Sequence, residues 1–140
     1  MIRFSNRVKY GVQFMLFLCI DDDGFTGIQR AALSCDIPQK FLEAIAVDLK
    51  KKGLLEVKRG AGGGYRLARE KALIHLADIV EALGLEGIKS DKMDGDLVSK
   101  VTEQILRKTV ETFWETMRGV TLADIHRDYV ERAESLMYYI

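Results

Sequence analysis

Residues 57–67 read Val57-Lys58-Arg59-Gly60-Ala61-Gly62-Gly63-Gly64-Tyr65-Arg66-Leu67, and the organisation of the whole chain follows from them. Leu55 and Val57 alternate with Glu56 and Lys58, and Tyr65 and Leu67 alternate with Arg66 and Ala68. That period of two predicts a short strand on each flank. Between the strands, Arg59 is followed by four glycines and one alanine, a turn of unusual flexibility. The segment is therefore a β-hairpin with a slim, backbone-only tip and an arginine at its base. It is not a phosphate-binding P-loop, because no Lys-Ser/Thr follows the glycines and the next element is a strand.

Upstream of the hairpin the apolar period is helical. Val8, Val12, Met15, Leu16 and Cys19 trace one face of a helix over 6–20, widened by Phe14, Phe17 and Leu18. Asp21-Asp22-Asp23-Gly24 is a solvated turn that lacks the spacing and terminal glutamate of a calcium loop. A short helix over 27–35 turns Ile28, Ala31, Ala32 and Cys35 inward, with Thr26 as its expected cap. Asp36-Ile37-Pro38 then leads into a third helix, 38–52, with Pro38 in its first turn. Its apolar stripe is Phe41, Leu42, Ile45, Ala46 and Leu49. Lys50-Lys51-Lys52 before Gly53 suits the negative end of the helix dipole. Helix–turn–helix followed by a hairpin is the order of a winged helix-turn-helix.

Downstream, Leu76, Ile79, Val80 and Leu83 predict a fourth helix over 75–83. A charged, glycine-bearing connector spans Gly84 to Gly95. The longest helix, 96–118, carries Leu97, Val98, Val101, Ile105, Leu106, Val110, Phe113, Trp114 and Met117 on a wide stripe. Gly119 ends it, and Thr121 with Asp124 resembles a capping box opening a last helix, 122–137. The fold class is mainly α with a small β-hairpin. Its expected parts are a winged helix-turn-helix over 1–83, a connector over 84–95 and dimerisation helices over 96–140. The long helix has more apolar surface than a three-helix domain covers, so Val101, Ile105, Phe113, Trp114 and Met117 are the expected dimer contacts.

The chain has 140 residues, with 21 basic and 21 acidic side chains and a formal net charge of zero. Evenly spread, those charges would argue against a nucleic-acid partner. They are not evenly spread. Residues 1–75 hold 13 Lys/Arg and 8 Asp/Glu, a net of +5, and residues 76–140 hold 8 and 13, a net of −5. A basic winged half is what nucleic-acid binding requires. The N-terminal residues of a recognition helix face base edges in the major groove. Here they include Gln39, which suits adenine, Lys40, which suits guanine acceptors, and Glu43, which suits cytosine N4. A slim Gly-rich wing over 59–65, with Arg59 beside Gly60, Gly62 and Gly63, fits a narrow minor groove. Ser5, Arg7 and Lys9 are placed to meet phosphates at the first helix.

Other function classes find little support. Two cysteines, Cys19 and Cys35, make no disulfide framework and cannot fill a four-cysteine metal site. A reduced, cytoplasmic chain is expected. The apolar run Phe14–Ile20 follows Arg3, Arg7 and Lys9 like a signal peptide, but Asp21–Asp23 close it without a cleavage site. No apolar stretch approaches the roughly 20 residues of a membrane span. No nucleophile–base pair or paired-carboxylate motif points to an enzyme.

These residues resemble the winged helix-turn-helix regulator family that includes the iron–sulfur cluster regulator IscR, the nitric-oxide-sensing repressor NsrR and the cysteine-metabolism repressor CymR. The matching pieces are Ser5 to Tyr10, Phe41-Leu42-Glu43, Lys52-Gly53-Leu54-Leu55, the wing run 57–67 with Tyr65, and Ile79-Val80-Glu81-Ala82-Leu83. The resemblance implies a homodimeric transcription regulator, expected to be a repressor, on a pseudo-palindromic double-stranded operator. It adds Tyr10 and Tyr65 to the expected DNA contacts. Two departures stand out: Pro38 replaces a small hydroxyl residue, and Ala61 replaces the usual wing proline. Many family members hold an iron–sulfur cluster on three cysteines between the fourth and long helices. Residues 84–96 contain no cysteine or histidine, so a cluster-free member with no cofactor is expected. The connector has room for a small-molecule or protein effector, though plain linkage is the preferred reading. The competing function is a winged-helix interaction module that docks a partner enzyme without binding DNA.

Overall fold

The computed structural model describes residues 3–21, 24–84 and 95–138. Among them are six α-helices, one short 3-10 turn and a two-stranded antiparallel hairpin. Helix α1 (Asn6–Ile20) starts at Ser5, whose hydroxyl accepts from the Val8 N–H at 3.3 Å. It buries Val8, Phe14, Met15, Leu18 and Cys19 against α3 and the wing. The apolar 3–4 spacing puts those side chains on one face, so burial of that face is what holds the helix.

Helix α2 (Ile28–Cys35) begins one residue later than the sequence predicts, and Thr26 is not its cap. Gly27 is the capping position. Thr26 is instead buried and pairs with Tyr65 through two backbone hydrogen bonds of 2.8 Å, while its hydroxyl donates to Asp21. The linker before α2 thus behaves as an extra rung on the wing. Asp36 takes a left-handed turn, φ 54°, that reverses the chain into α3 (Gln39–Lys51). Pro38 caps α3 from just outside the helix rather than occupying its first turn.

Leu42, Ile45, Ala46 and Leu49 are the buried face of α3. Phe41, predicted to join them, is 64% exposed. At 100° per residue it lies about 90° from the centre of the other four, off the edge of the stripe. Strand β1 (Leu55–Lys58) pairs with β2 (Gly64–Leu67) in the register Leu55↔Leu67, Glu56↔Arg66, Val57↔Tyr65 and Lys58↔Gly64. The cross-strand Glu56–Arg66 ion pair measures 2.6 Å.

A 3-10 turn (Lys71–Leu73) leads into α4 (Leu76–Ala82), which buries Ala77, Ile79 and Val80. Most of the connector, residues 85–94, lies outside the described residues, and with it the linker or effector role expected of that segment. Helix α5 (Leu97–Arg118) starts at Asp96, whose carboxylate accepts from the Ser99 N–H at 2.8 Å. Helix α6 (Leu122–Met137) opens on the expected capping box, with Thr121 and Asp124 exchanging hydrogen bonds of 3.1 and 2.9 Å.

The hydrophobic core crosses the boundary expected after residue 83. Trp114, Met117 and Leu122 are buried in the same cluster as Phe14, Ile45 and Leu49. Two backbone bonds of 2.8 Å, from Leu76 N–H to the Val120 carbonyl and from Leu122 N–H to the Ile74 carbonyl, tie the α5–α6 turn to the start of α4. Trp114 and Met117 are only 5% and 3% exposed, so these two expected dimer contacts are spent inside the protomer. Val101, Ile105 and Phe113 remain exposed, and Phe113 stacks on Phe4 with ring centroids 5.8 Å apart.

Candidate nucleic-acid interface

The solvent face of α3 presents Gln39, Lys40 and Glu43 as the sequence predicts. All three are exposed, and the Gln39 amide donates to the Glu43 carboxylate at 3.0 Å. The pair, one helical turn apart, is held in register before any ligand arrives. Further along the helix, Lys50 and Lys51 face the wing. With Val47, Val57, Arg59 and Tyr65 they line a groove of about 420 Å³ between α3 and the hairpin. The sequence marks these lysines only as a cationic last turn. Their place beside Arg59 depends on how the hairpin folds back, which no local pattern reports.

The wing glycines serve two purposes. Gly60 and Gly62 take left-handed backbone, φ 92° and 71°, with open space around them. Gly63 and Gly64 sit against backbone. A Cβ on Gly63 would lie 2.2 Å from the Lys58 carbonyl oxygen, and one on Gly64 2.1 Å from that of Thr26. The tip therefore closes on itself, and its root presses on the α1–α2 linker. Arg59 and Ala61 are left exposed at the free end. An arginine on so slender a projection reaches into a minor groove without side-chain obstruction.

Several expected contact residues have partners within the fold. Arg7 makes an ion pair with Asp48 of α3, so its guanidinium braces α1 against the helix that faces solvent. Tyr65 is half-buried, with its ring edge-on to Phe14 at 6.0 Å and 78°, and anchors the wing to the core. Tyr10 is likewise packed against the core. Ser5 caps α1, and Lys9 is exposed. At the wing root Arg66 lies over the Phe25 ring at 4.5 Å, a cation–π contact absent from the sequence prediction.

The potential metal ligands are dispersed. Cys19 is buried on α1, and Cys35 is half-buried on α2, where burial pushes its thiol pKa up. His75 Nδ1 lies 2.8 Å from the Arg118 carbonyl, and His126 Nδ1 2.8 Å from Lys71 Nζ. Among the described residues no three His, Cys, Asp or Glu side chains gather into a metal site. Nor is any described helix long and apolar enough to cross a membrane.

Comparison with known proteins places this geometry. Residues 4–128 match the model of the Rrf2 family, described as iron-dependent transcriptional regulators. The HTH-type transcriptional regulator IscR of Cereibacter sphaeroides is 46% identical over 85 residues, covering 59% of this chain and 55% of that protein. The solved structure of T. potens IscR superposes with a TM-score of 0.76 at 32% identity, over 91% of this chain and 88% of that one. That of the global cysteine regulator CymR of B. subtilis gives 0.75 at 25% identity, over 91% and 98%. The chain belongs to the Rrf2 family of helix-turn-helix transcriptional regulators.

Proposed function

We propose that this protein is a homodimeric, cluster-free transcriptional repressor that binds a pseudo-palindromic operator. Helix α3 enters the major groove, and the wing tip 59–63 enters the adjacent minor groove. The observation that carries this is the cationic groove between α3 and the wing. Lys50, Lys51 and Arg59 line it, with exposed Lys40 at the other end of the helix. Phosphates flank both grooves of a duplex, and cations spaced along one face match them.

The dimer reading rests on α5. Leu97, Val98, Val101, Ile105 and Leu106 are all more than half exposed on one helix. An apolar strip of that length on a monomer marks an interaction surface. A second copy of the same helix is the self-complementary occupant a two-fold axis supplies. The two recognition helices then fall in successive major grooves, about one turn or a multiple apart.

The iron named in the family description does not fit the residues present. An iron–sulfur cluster is held by cysteine thiolates. The chain has two cysteines, one inside the core and the other with a raised pKa that disfavours the thiolate.

The test is fluorescence anisotropy with duplexes recovered from genomic fragments, read across a salt series. Wild-type affinity is expected to fall steeply with salt, and Lys40→Ala and Arg59→Ala each to weaken binding. If neither substitution changes the affinity, the docking is wrong. Size-exclusion chromatography with light scattering checks the dimer, and a monomer at micromolar concentration refutes it. An intense visible band in anaerobically purified protein would overturn the cluster-free assignment.

A further inference from the structure

The solvent face of α3 carries apolar side chains that the protomer's own packing does not explain. Phe41 is 64% and Val47 47% exposed, and exposed Ala44 lies between them. Residues three apart are neighbours on a helix surface, so 41, 44 and 47 form one continuous row. The buried set, Leu42, Ile45, Ala46 and Leu49, is centred about 150° round the helix from Ala44 and Val47, with Phe41 nearer at about 90°. No rotation of the helix brings both sets into the core.

The surroundings indicate what covers this row. Lys40, Lys50, Lys51 and Arg59 are exposed around it against one exposed carboxylate, Glu43, while the nearby Asp48 is shared between Arg7 and, at 4.0 Å, Lys51. An apolar protein surface laid here would desolvate these cations, which outnumber the carboxylates on the face, without supplying counter-charge, which is costly. A DNA major groove supplies phosphates at its walls. It also offers one apolar group at its floor, the C5-methyl of thymine. Side chains of a helix lean toward its N-terminus, so Phe41 in the first turn reaches furthest into a groove entered by that end.

We propose that the Phe41–Ala44–Val47 row reads thymine methyl groups, with Phe41 the leading contact. The operator is then selected for thymines facing this row, in addition to any hydrogen-bonded bases. This rests on α3 being the recognition helix.

The test uses the full-length protein and two fluorescein-labelled duplexes. One is an operator recovered from genomic fragments, and the other is the same duplex with deoxyuridine in place of thymine, which removes only the methyl. Wild-type affinity is expected to fall about fourfold for each methyl covered, the value of one buried methylene. Phe41→Ala should bind the thymine operator more weakly by a similar factor and show less sensitivity to the exchange. Phe41→Leu, still apolar, should keep that sensitivity, and thermal melts confirm that both variants fold. Equal wild-type affinity for the two duplexes overturns the proposal, as does full methyl sensitivity in Phe41→Ala. Failure to recover any bound duplex would overturn the DNA reading itself. An operator bound equally with and without methyls overturns only methyl recognition.

Discussion

Replacing Gly64 with alanine tests how the wing is fixed to the body. Its φ is +146°, and a Cβ there would lie 2.1 Å from the Thr26 carbonyl oxygen, 2.4 Å from its carbonyl carbon and 2.7 Å from the Gly27 nitrogen. All three neighbours are backbone, so none swings aside as a side chain would. Gly64→Ala must push β2 away from residue 26, breaking the two 2.8 Å bonds between Thr26 and Tyr65. Each such bond contributes about 1 kcal/mol. Backbone held in a sparsely populated region adds roughly 1–3 kcal/mol. The expected loss is then about 3–5 kcal/mol. Gly62→Ala is the control, because Gly62 is also left-handed, φ +71°, but has open space around it. It should lose only about 1–2 kcal/mol, the penalty of a left-handed residue with a Cβ. Urea unfolding at one protein concentration gives both values. Trp114, the single tryptophan and 5% exposed, serves as the fluorescent reporter. If the two variants agree to within about 0.5 kcal/mol, the contact with the α1–α2 linker does not hold the wing and the reasoning fails.

Four further outcomes are expected. Arg7→Ala should leave the slope of log affinity against log salt unchanged, because Arg7 is paired with Asp48. Lys40→Ala and Arg59→Ala should each lower that slope by about 1. A full unit lost in Arg7→Ala would mean that its guanidinium meets phosphate after all. Trp114→Ala should lower stability by about 3–5 kcal/mol as a core truncation. Ile105→Ala should weaken self-association in sedimentation experiments with little change in the unfolding of the protomer. For acid stability, the Asp124 carboxyl is held below its ordinary pKa, first by the Thr121 backbone N–H. A carboxyl lowered in the folded state stabilises the fold above its unfolded pKa, and that contribution is lost as pH falls through the folded value. Asp124→Asn should therefore flatten the loss of stability on acidification, and an unchanged acid limb in urea titrations would refute the role of this cap.

Features whose cause is local were legible in the sequence. The two strands of the hairpin follow from alternation plus glycines, and the α6 capping box from two residues three apart. Features that join distant segments were not. Thr26 looks like a helix cap because a hydroxyl residue precedes an apolar period. Its actual partner, Tyr65, is brought to it only by the fold, and two backbone bonds to a strand outweigh one cap. Arg7 and Asp48 are 41 residues apart, so counting charges by segment left Arg7 available for phosphate when its charge is already matched. Pairs of that kind are invisible to composition, and they decide which part of a basic half is offered to a ligand.

Helix α5 shows how a local signal can still be misread. Its apolar residues look like one wide stripe, but at 100° per residue Val101 and Met117 point about 160° apart. The first half, through Leu97, Val101 and Ile105, faces one way, and the last turns, through Trp114 and Met117, face nearly the other. A helix packed on one partner along its whole length has no reason to rotate its apolar side. One that completes its own protomer's core at the C-terminal end and meets something else at the N-terminal end must do so. The structure has that division: Trp114 and Met117 are buried with Leu122, while Leu97, Val101 and Ile105 stay bare. The rotation is computable from the sequence alone, and it separates Leu97, Val101 and Ile105 from Trp114 and Met117. The proposed dimer interface accordingly belongs on residues 97–106, with Phe113 at its edge, and excludes Trp114 and Met117.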